Sequence, residues 1–158
     1  MEQSTSDQSS GSHPGHHRLS LEEVSALMRV HFPQVGDGGK LILIDMVSAG
    51  MARLRLPENV EHLRPGGTVS GPAMVLLADV SVYVAILATL GEGALQAVTT
   101  SLNVNFLKRP EPGELIAEAK LLKVGRRLVV GEVAITDAAK GALVAHTTAT
   151  YALPGDVG

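Results

Sequence analysis

The sequence predicts an α+β domain in which one long helix is wrapped by an antiparallel sheet. Two observations carry this. The run from Gly71 to Leu90 is apolar on all sides except for one carboxylate, and strand-like segments flank it, with the clearest two-residue alternation after residue 98. A length of 158 residues suits a single domain able to bury its own core.

Residues 1–18 hold one apolar side chain, Met1, and such a stretch cannot offset its ordering entropy by burial; a disordered tail is expected, with the folded domain at 19–154 and a short tail at 155–158. The stretch lacks the basic and apolar regions of a signal peptide, so a cytoplasmic location is expected. His13, His16 and His17 read as solvated tail residues rather than a metal site. Ser20 and Glu23 have capping-box spacing, and Leu21, Val24, Leu27 and Met28 form one apolar stripe, which predicts a short helix ending before Pro33 and the Gly36–Gly39 turn. That glycine turn has no phosphate-loop lysine and reads as a hinge. Segments 41–47 and 49–56 predict a β-hairpin turning at Ser48-Ala49-Gly50.

The long helix is expected over Pro72–Leu90, with Pro72 suited to the first helical position and Gly91 to the cap that ends it. A helix apolar all round either spans a membrane or is buried on every side. Burial is favoured, because Asp79 falls near its middle, no Lys or Arg flanks it closely, and a lone span would leave the strands unexplained. In the strand from Val98 to Lys108, Leu102, Val104 and Phe106 face one way and Ser101, Asn103 and Asn105 the other. Segments 114–124, 127–136 and 142–153, divided by Gly125 and by the turn at 138–141, predict an antiparallel meander.

Composition excludes several functions. There is no cysteine, hence no disulfide, thiolate nucleophile or Cys-ligated metal. Lys and Arg number 13 against 16 Asp and Glu, giving a net charge of −3, and the aromatic residues are two Phe and two Tyr, so neither the basic stripe nor the stacking platform of a nucleic-acid binder is present. His62 and His146 have no second histidine at ligand spacing, and Val69-Ser70-Gly71 is not the elbow of a serine hydrolase.

What remains is Asp79 and the start of the long helix. Asp79 is the only ionisable side chain between Arg64 and Tyr83, and a carboxylate in apolar surroundings is paired, hydrogen-bonded or working. A bond to Ser81 or an exposed point on the helix are the alternatives. The helix start, Gly66 to Pro72, offers free amides at the positive end of the dipole, where a carbonyl oxygen or a developing oxyanion is favoured. Eight residues separate Gly71 from Asp79, about 12 Å along one helix. One carbonyl cannot meet both, so joint action requires Gly71 of one protomer and Asp79 of another, in a homodimer.

The segments Gly67 to Pro72, Leu76 to Asp79 and Thr99 to Pro110 resemble the PaaI-like thioesterases of the hotdog superfamily, and the resemblance runs from about residue 40 to 153. It implies a curved sheet of five to six strands around the helix, dimers joined sheet edge to sheet edge, pairing of those dimers into tetramers, and hydrolysis of acyl-CoA thioesters, with coenzyme A as part of the substrate and no other cofactor. Matched position by position, Gly71 takes the place of the residue whose amide polarises the thioester carbonyl, and Asp79 that of the catalytic carboxylate, as general base or as nucleophile. Arg126 and Arg127 resemble a basic segment near the coenzyme A phosphates, Lys108 and Arg109 add positive charge, and Ser70, Arg64, Pro72, Tyr83 and Asn103 are the remaining expected substrate contacts. Ser70 stands where the family carries His, Pro72 where it carries a second Gly, and Arg64 where Asn is common. A non-hydrolytic acyl-binding protein is the competing expectation. A hydratase of this fold is disfavoured, because no Asp–His pair has the required spacing.

Overall fold

In a computed structural model of the chain, residues 18–35 and 41–155 are described. The histidine-bearing tail and the glycine turn at 36–39 lie outside them, as do the last three residues. Arg18 is already tied to the fold, since its N–H and that of Leu19 both donate to the Ala88 carbonyl, at 2.8 and 3.1 Å.

Helix α1 (Leu21–His31) starts with the expected capping box: Ser20 Oγ accepts from the Glu23 N–H and Glu23 accepts from the Ser20 N–H. Val24 and Met28 are its buried residues. The hairpin follows as β1 (Leu43–Ser48) and β2 (Met51–Leu56). Helix α2 covers Gly71–Leu90, one residue earlier than expected, because Ser70 rather than Gly71 is the cap and its Oγ accepts from the Ala73 N–H at 3.3 Å. Gly91 ends the helix with φ +90°, a conformation that favours glycine. Then come β3 (Val98–Phe106), β4 (Leu115–Val124), β5 (Leu128–Asp137) and β6 (Leu143–Ala152).

The six strands form one antiparallel sheet in the order β1-β2-β4-β5-β6-β3. The meander is therefore β4-β5-β6, while β3, which precedes it in sequence, crosses to the far edge and pairs with β6. Sequence order alone cannot reveal that crossing, since alternation marks a strand without naming its neighbour. The inner face of the sheet is lined beneath α2 by Ala52, Ala119, Val133, Thr147 and Val104, which the register places side by side. Small residues there let the helix come close. A Cβ at Gly131 would sit 3.2 Å from the Val82 side chain and 3.3 Å from that of Leu121.

Helix α2 is long and apolar enough to cross a membrane, but most of it is buried within the sheet. Twelve of its twenty residues are buried. The expectation of burial on every side needs one correction: Pro72, Val75, Leu76, Asp79 and Tyr83 are half-buried or exposed and recur at helical spacing, so the helix keeps one open stripe. A second correction concerns β3. Only Leu102 and Val104 are half-buried, whereas Phe106 is 53% exposed, because β3 is an edge strand and its end covers only the first residues of the helix.

At the same end of the sheet, the turn between β5 and β6 is pinned by Asp137, which is 1% exposed and accepts from the Lys140 N–H at 2.9 Å and the Glu111 N–H at 3.4 Å. The Lys140 amide above all, with those of Glu111 and Ala142 and the charge of Lys108, holds this carboxyl below its ordinary value, against an opposing effect of burial. A depressed carboxylate contributes stability that is complete above the unfolded value of 3.8 and is lost as pH falls below it. Asp137→Asn is accordingly expected to lower the melting temperature at pH 7 and to flatten its fall between pH 4 and pH 2, as followed by thermal melts across that range.

Candidate active site

The start of α2 can be accounted for amide by amide. The Ser70 N–H donates to the His62 carbonyl at 2.7 Å, Pro72 has none, that of Ala73 is taken by Ser70 Oγ, and that of Met74 donates to the Ser70 carbonyl at 3.2 Å. The Gly71 N–H is thus the one donor left at this helix end, with no acceptor among the described residues. Ser70, one of the expected substrate contacts, has its hydroxyl oxygen engaged as the cap. Gly71 lies in an open cleft of about 830 Å³ with Arg64, Pro72, Phe106, Lys108 and Arg109. The Phe106 ring lies over the glycine, 3.4 Å from where a Cβ would stand. Three of the expected basic residues, Arg64, Lys108 and Arg109, therefore gather at the positive end of the helix.

Asp79 lies in another cleft, of about 610 Å³, lined also by Phe32, Tyr83, Leu95, Thr99 and Tyr151. It is half-buried rather than enclosed, because it sits on the open stripe of α2. Ser81 is not its partner; the Ser81 hydroxyl donates to the Leu77 carbonyl at 2.6 Å. Instead Thr99 Oγ1 and the Tyr151 hydroxyl both donate to Asp79 Oδ1, at 2.7 and 2.5 Å, and the Tyr151 hydroxyl also lies 2.9 Å from the Asp79 carbonyl oxygen. Two donors on one oxygen fix the carboxylate plane. Oδ2 has no partner among the described residues.

Burial first, and the Asp79 charge second, push the Tyr151 hydroxyl well above its ordinary value of 10, so it stays protonated as a donor. Burial also raises Tyr83, whose hydroxyl donates to the Leu95 carbonyl at 2.7 Å.

Strict alternation conceals Thr99, since it would place the residue with Ser101 and Asn103 on the outer face. The register of β3 on β6 shifts between Thr99 and Ser101, so Thr100 is an extra residue, and this bulge turns Thr99 inward opposite Tyr151. Tyr151 carries no motif of its own, and only the pairing of β6 with β3 brings it to Asp79.

The remaining expected contacts divide. Tyr83 lines the Asp79 cleft, and Arg64 and Pro72 the Gly71 cleft. Asn103 is exposed on the outer face of β3, opposite Thr148, and lines neither. Arg126 and Arg127 line a separate hollow with Leu153 beside the turn between β4 and β5. The two clefts share no residue, so one protomer does not bring Gly71 and Asp79 together.

A family model described as the thioesterase superfamily matches residues 66–152, which include Gly71, Asp79, Thr99 and Tyr151. The chain belongs to the thioesterase superfamily. Among solved structures it is similar to a candidate thioesterase from a Silicibacter species, with 44% identity, a TM-score of 0.78 and coverage of 88% of this chain and 94% of that one. A candidate esterase from Halobacterium salinarum is 32% identical over 125 residues, 74% of this chain and 80% of its own. The PaaI protein of Escherichia coli shares the fold, at 19% identity and a TM-score of 0.73, over 85% of this chain and 94% of its own. The curved sheet around one helix is thus the hotdog fold expected from the sequence.

If the two hydroxyls position the working carboxylate of this superfamily member, Thr99→Val and Tyr151→Phe will each lower kcat for thioester hydrolysis by about tenfold to a hundredfold with little change in KM. Steady-state kinetics beside thermal melts check this. A lower melting temperature with kcat unchanged would mark the bonds as purely structural.

Proposed function

We propose that the protein is an acyl-CoA thioesterase whose site is shared between two protomers, converting acyl-CoA and water to a carboxylic acid and coenzyme A. The single observation that carries this reading is the pairing on α2 of one free amide, Gly71 N–H, with one oriented carboxylate, Asp79, about 12 Å away along the same helix. A second copy whose α2 runs antiparallel beside the first would set its Gly71 near this Asp79. The open apolar stripe of α2 and the edge strand β3 supply surfaces for that contact.

In the general-base route, Asp79 Oδ2 takes a proton from water as the water oxygen attacks the thioester carbonyl carbon. The partner's Gly71 N–H stabilises the oxyanion, the C–S bond then breaks, and the thiolate recovers the proton from Asp79. In the nucleophilic route, Oδ2 itself attacks and the thiolate leaves; water then hydrolyses the resulting anhydride, releasing the acid. Both routes use the oxygen that Thr99 and Tyr151 leave free. Arg64, Lys108 and Arg109 give the Gly71 side a charge suited to the coenzyme A phosphates.

Asp79→Asn is expected to lower thiol release from a panel of acyl-CoAs by about a hundredfold or more, read with a thiol reagent, while the melting temperature stays near wild type. Gly71→Pro deletes the donor at a helix position that accepts proline and is expected to be equally inactive. Mixing the two inactive variants and allowing subunits to exchange should restore about a quarter of wild-type activity, since half the dimers then hold one intact site of two. Unchanged turnover in Asp79→Asn overturns the assignment, and a monomer by sedimentation overturns the shared site. Acyl-CoA binding by calorimetry without thiol release would favour a binding protein instead.

A further inference from the structure

The two clefts differ in chemistry, and that difference divides the substrate between them. The Gly71 cleft carries Arg64, Lys108 and Arg109, whereas the Asp79 cleft is lined mostly by aromatic and aliphatic side chains, with His31, Gln96 and Thr99 as its polar members beside Asp79. On the acyl-CoA reading, on which this inference rests, the acyl group then belongs on the Asp79 side.

Three aromatic rings lead away from the carboxylate. Tyr151 holds Asp79 and stacks on Tyr83 with ring centroids 6.3 Å apart, and Phe32 meets Tyr83 at 6.0 Å. Tyr83 follows Asp79 by one helical turn, about 6 Å along α2, and so shares its face. Both tyrosines are fixed by their hydroxyls, one on Asp79 and the other on the Leu95 carbonyl. Phe32 has no polar anchor. It is the half-buried residue that caps the C-terminal end of α1, and its backbone N–H donates to the Met28 carbonyl whatever the side chain.

We infer that Phe32 closes the acyl end of the Asp79 cleft and sets the size of acyl group accepted. It is a specificity residue, remote from the reacting carbonyl. Removing its ring opens space beyond Tyr83, and a larger ring fills more of it. A residue that merely packs α1 against α2 would change stability and total activity without altering the ranking of substrates.

The test compares wild type, Phe32→Ala and Phe32→Trp on straight-chain acyl-CoAs from acetyl to dodecanoyl, with kcat/KM for each. The octanoyl-to-butyryl ratio is expected to rise at least about tenfold in Phe32→Ala and to fall in Phe32→Trp, since one methylene in an apolar pocket is worth about that factor. A second readout does not need turnover. Tyr83 and Tyr151 are the only tyrosines, the chain has no tryptophan, and both line this cleft, so tyrosine emission reports its occupancy directly. Titrating wild type and Phe32→Ala with butyrate and octanoate should show octanoate gaining affinity over butyrate by a similar factor in the variant.

A ranking that stays put in both variants, or a uniform drop at every chain length, overturns the Phe32 inference and leaves the thioesterase reading intact. A wild type that releases no thiol from any acyl-CoA overturns that reading instead. The carboxylate titration then decides Phe32: an unchanged ratio overturns the inference and a shifted one supports it.

Discussion

The enclosure of α2 is the constraint from which the other features follow. A helix satisfies its own backbone, so an apolar one can enter a core without cost in hydrogen bonds, and each fully buried Leu, Ile or Val contributes about 1.5–3 kcal/mol. Leu77, Val82, Val84, Ile86 and Leu87 are all 0% exposed. An antiparallel sheet can surround such a helix only by curving, and the alanines and Gly131 on its inner face let the two surfaces approach. Curvature of a single sheet does not close the circle, and the uncovered strip of helix is where Asp79 stands.

That strip explains how a carboxylate survives on so apolar a helix. Full burial would need a paired charge or several donors. Asp79 keeps partial contact with solvent and takes its two donors from strands that the sheet brings alongside, β3 and β6. At the helix start the logic is reversed. Capping and proline between them remove every amide but one, so a general property of helix ends is narrowed to a single aimed N–H at Gly71. Rigid helix geometry keeps these two groups apart, and the proposed shared site is a direct consequence of that rigidity.

The environments of the two groups also diverge. Around Gly71 the chain gathers three cations, two of them, Lys108 and Arg109, from beyond β3, and around Asp79 three aromatic rings, two of them, Phe32 and Tyr151, from the end of α1 and from β6. α1 reaches the second of these only through its C-terminal end, where Phe32 meets Tyr83. The two clefts therefore share a helix but not a chemical character. This asymmetry fits a substrate with one phosphorylated and one acyl end.

Residue pattern by itself determined the capping box of α1, the extent of α2 to within one residue, the six strands, the isolation of Asp79 and the Gly71–Asp79 spacing, because each depends on side chains within a few turns of one another along the chain. Ser20 and Glu23 specify their helix start locally, and Pro72 and Gly91 bracket α2 in the same way. Tertiary structure decided the rest. The place of β3 at the far edge, the bulge at Thr100 that turns Thr99 inward, and the arrival of Tyr151 at Asp79 depend on pairing between strands about fifty residues apart, which two-residue alternation cannot encode. The same holds for Arg126 and Arg127, which fall in another hollow because a turn is carried wherever its two strands are paired; Asn103 faces outward as strand alternation already places it. Local chemistry names the groups able to act, and only long-range pairing chooses which of them stand together.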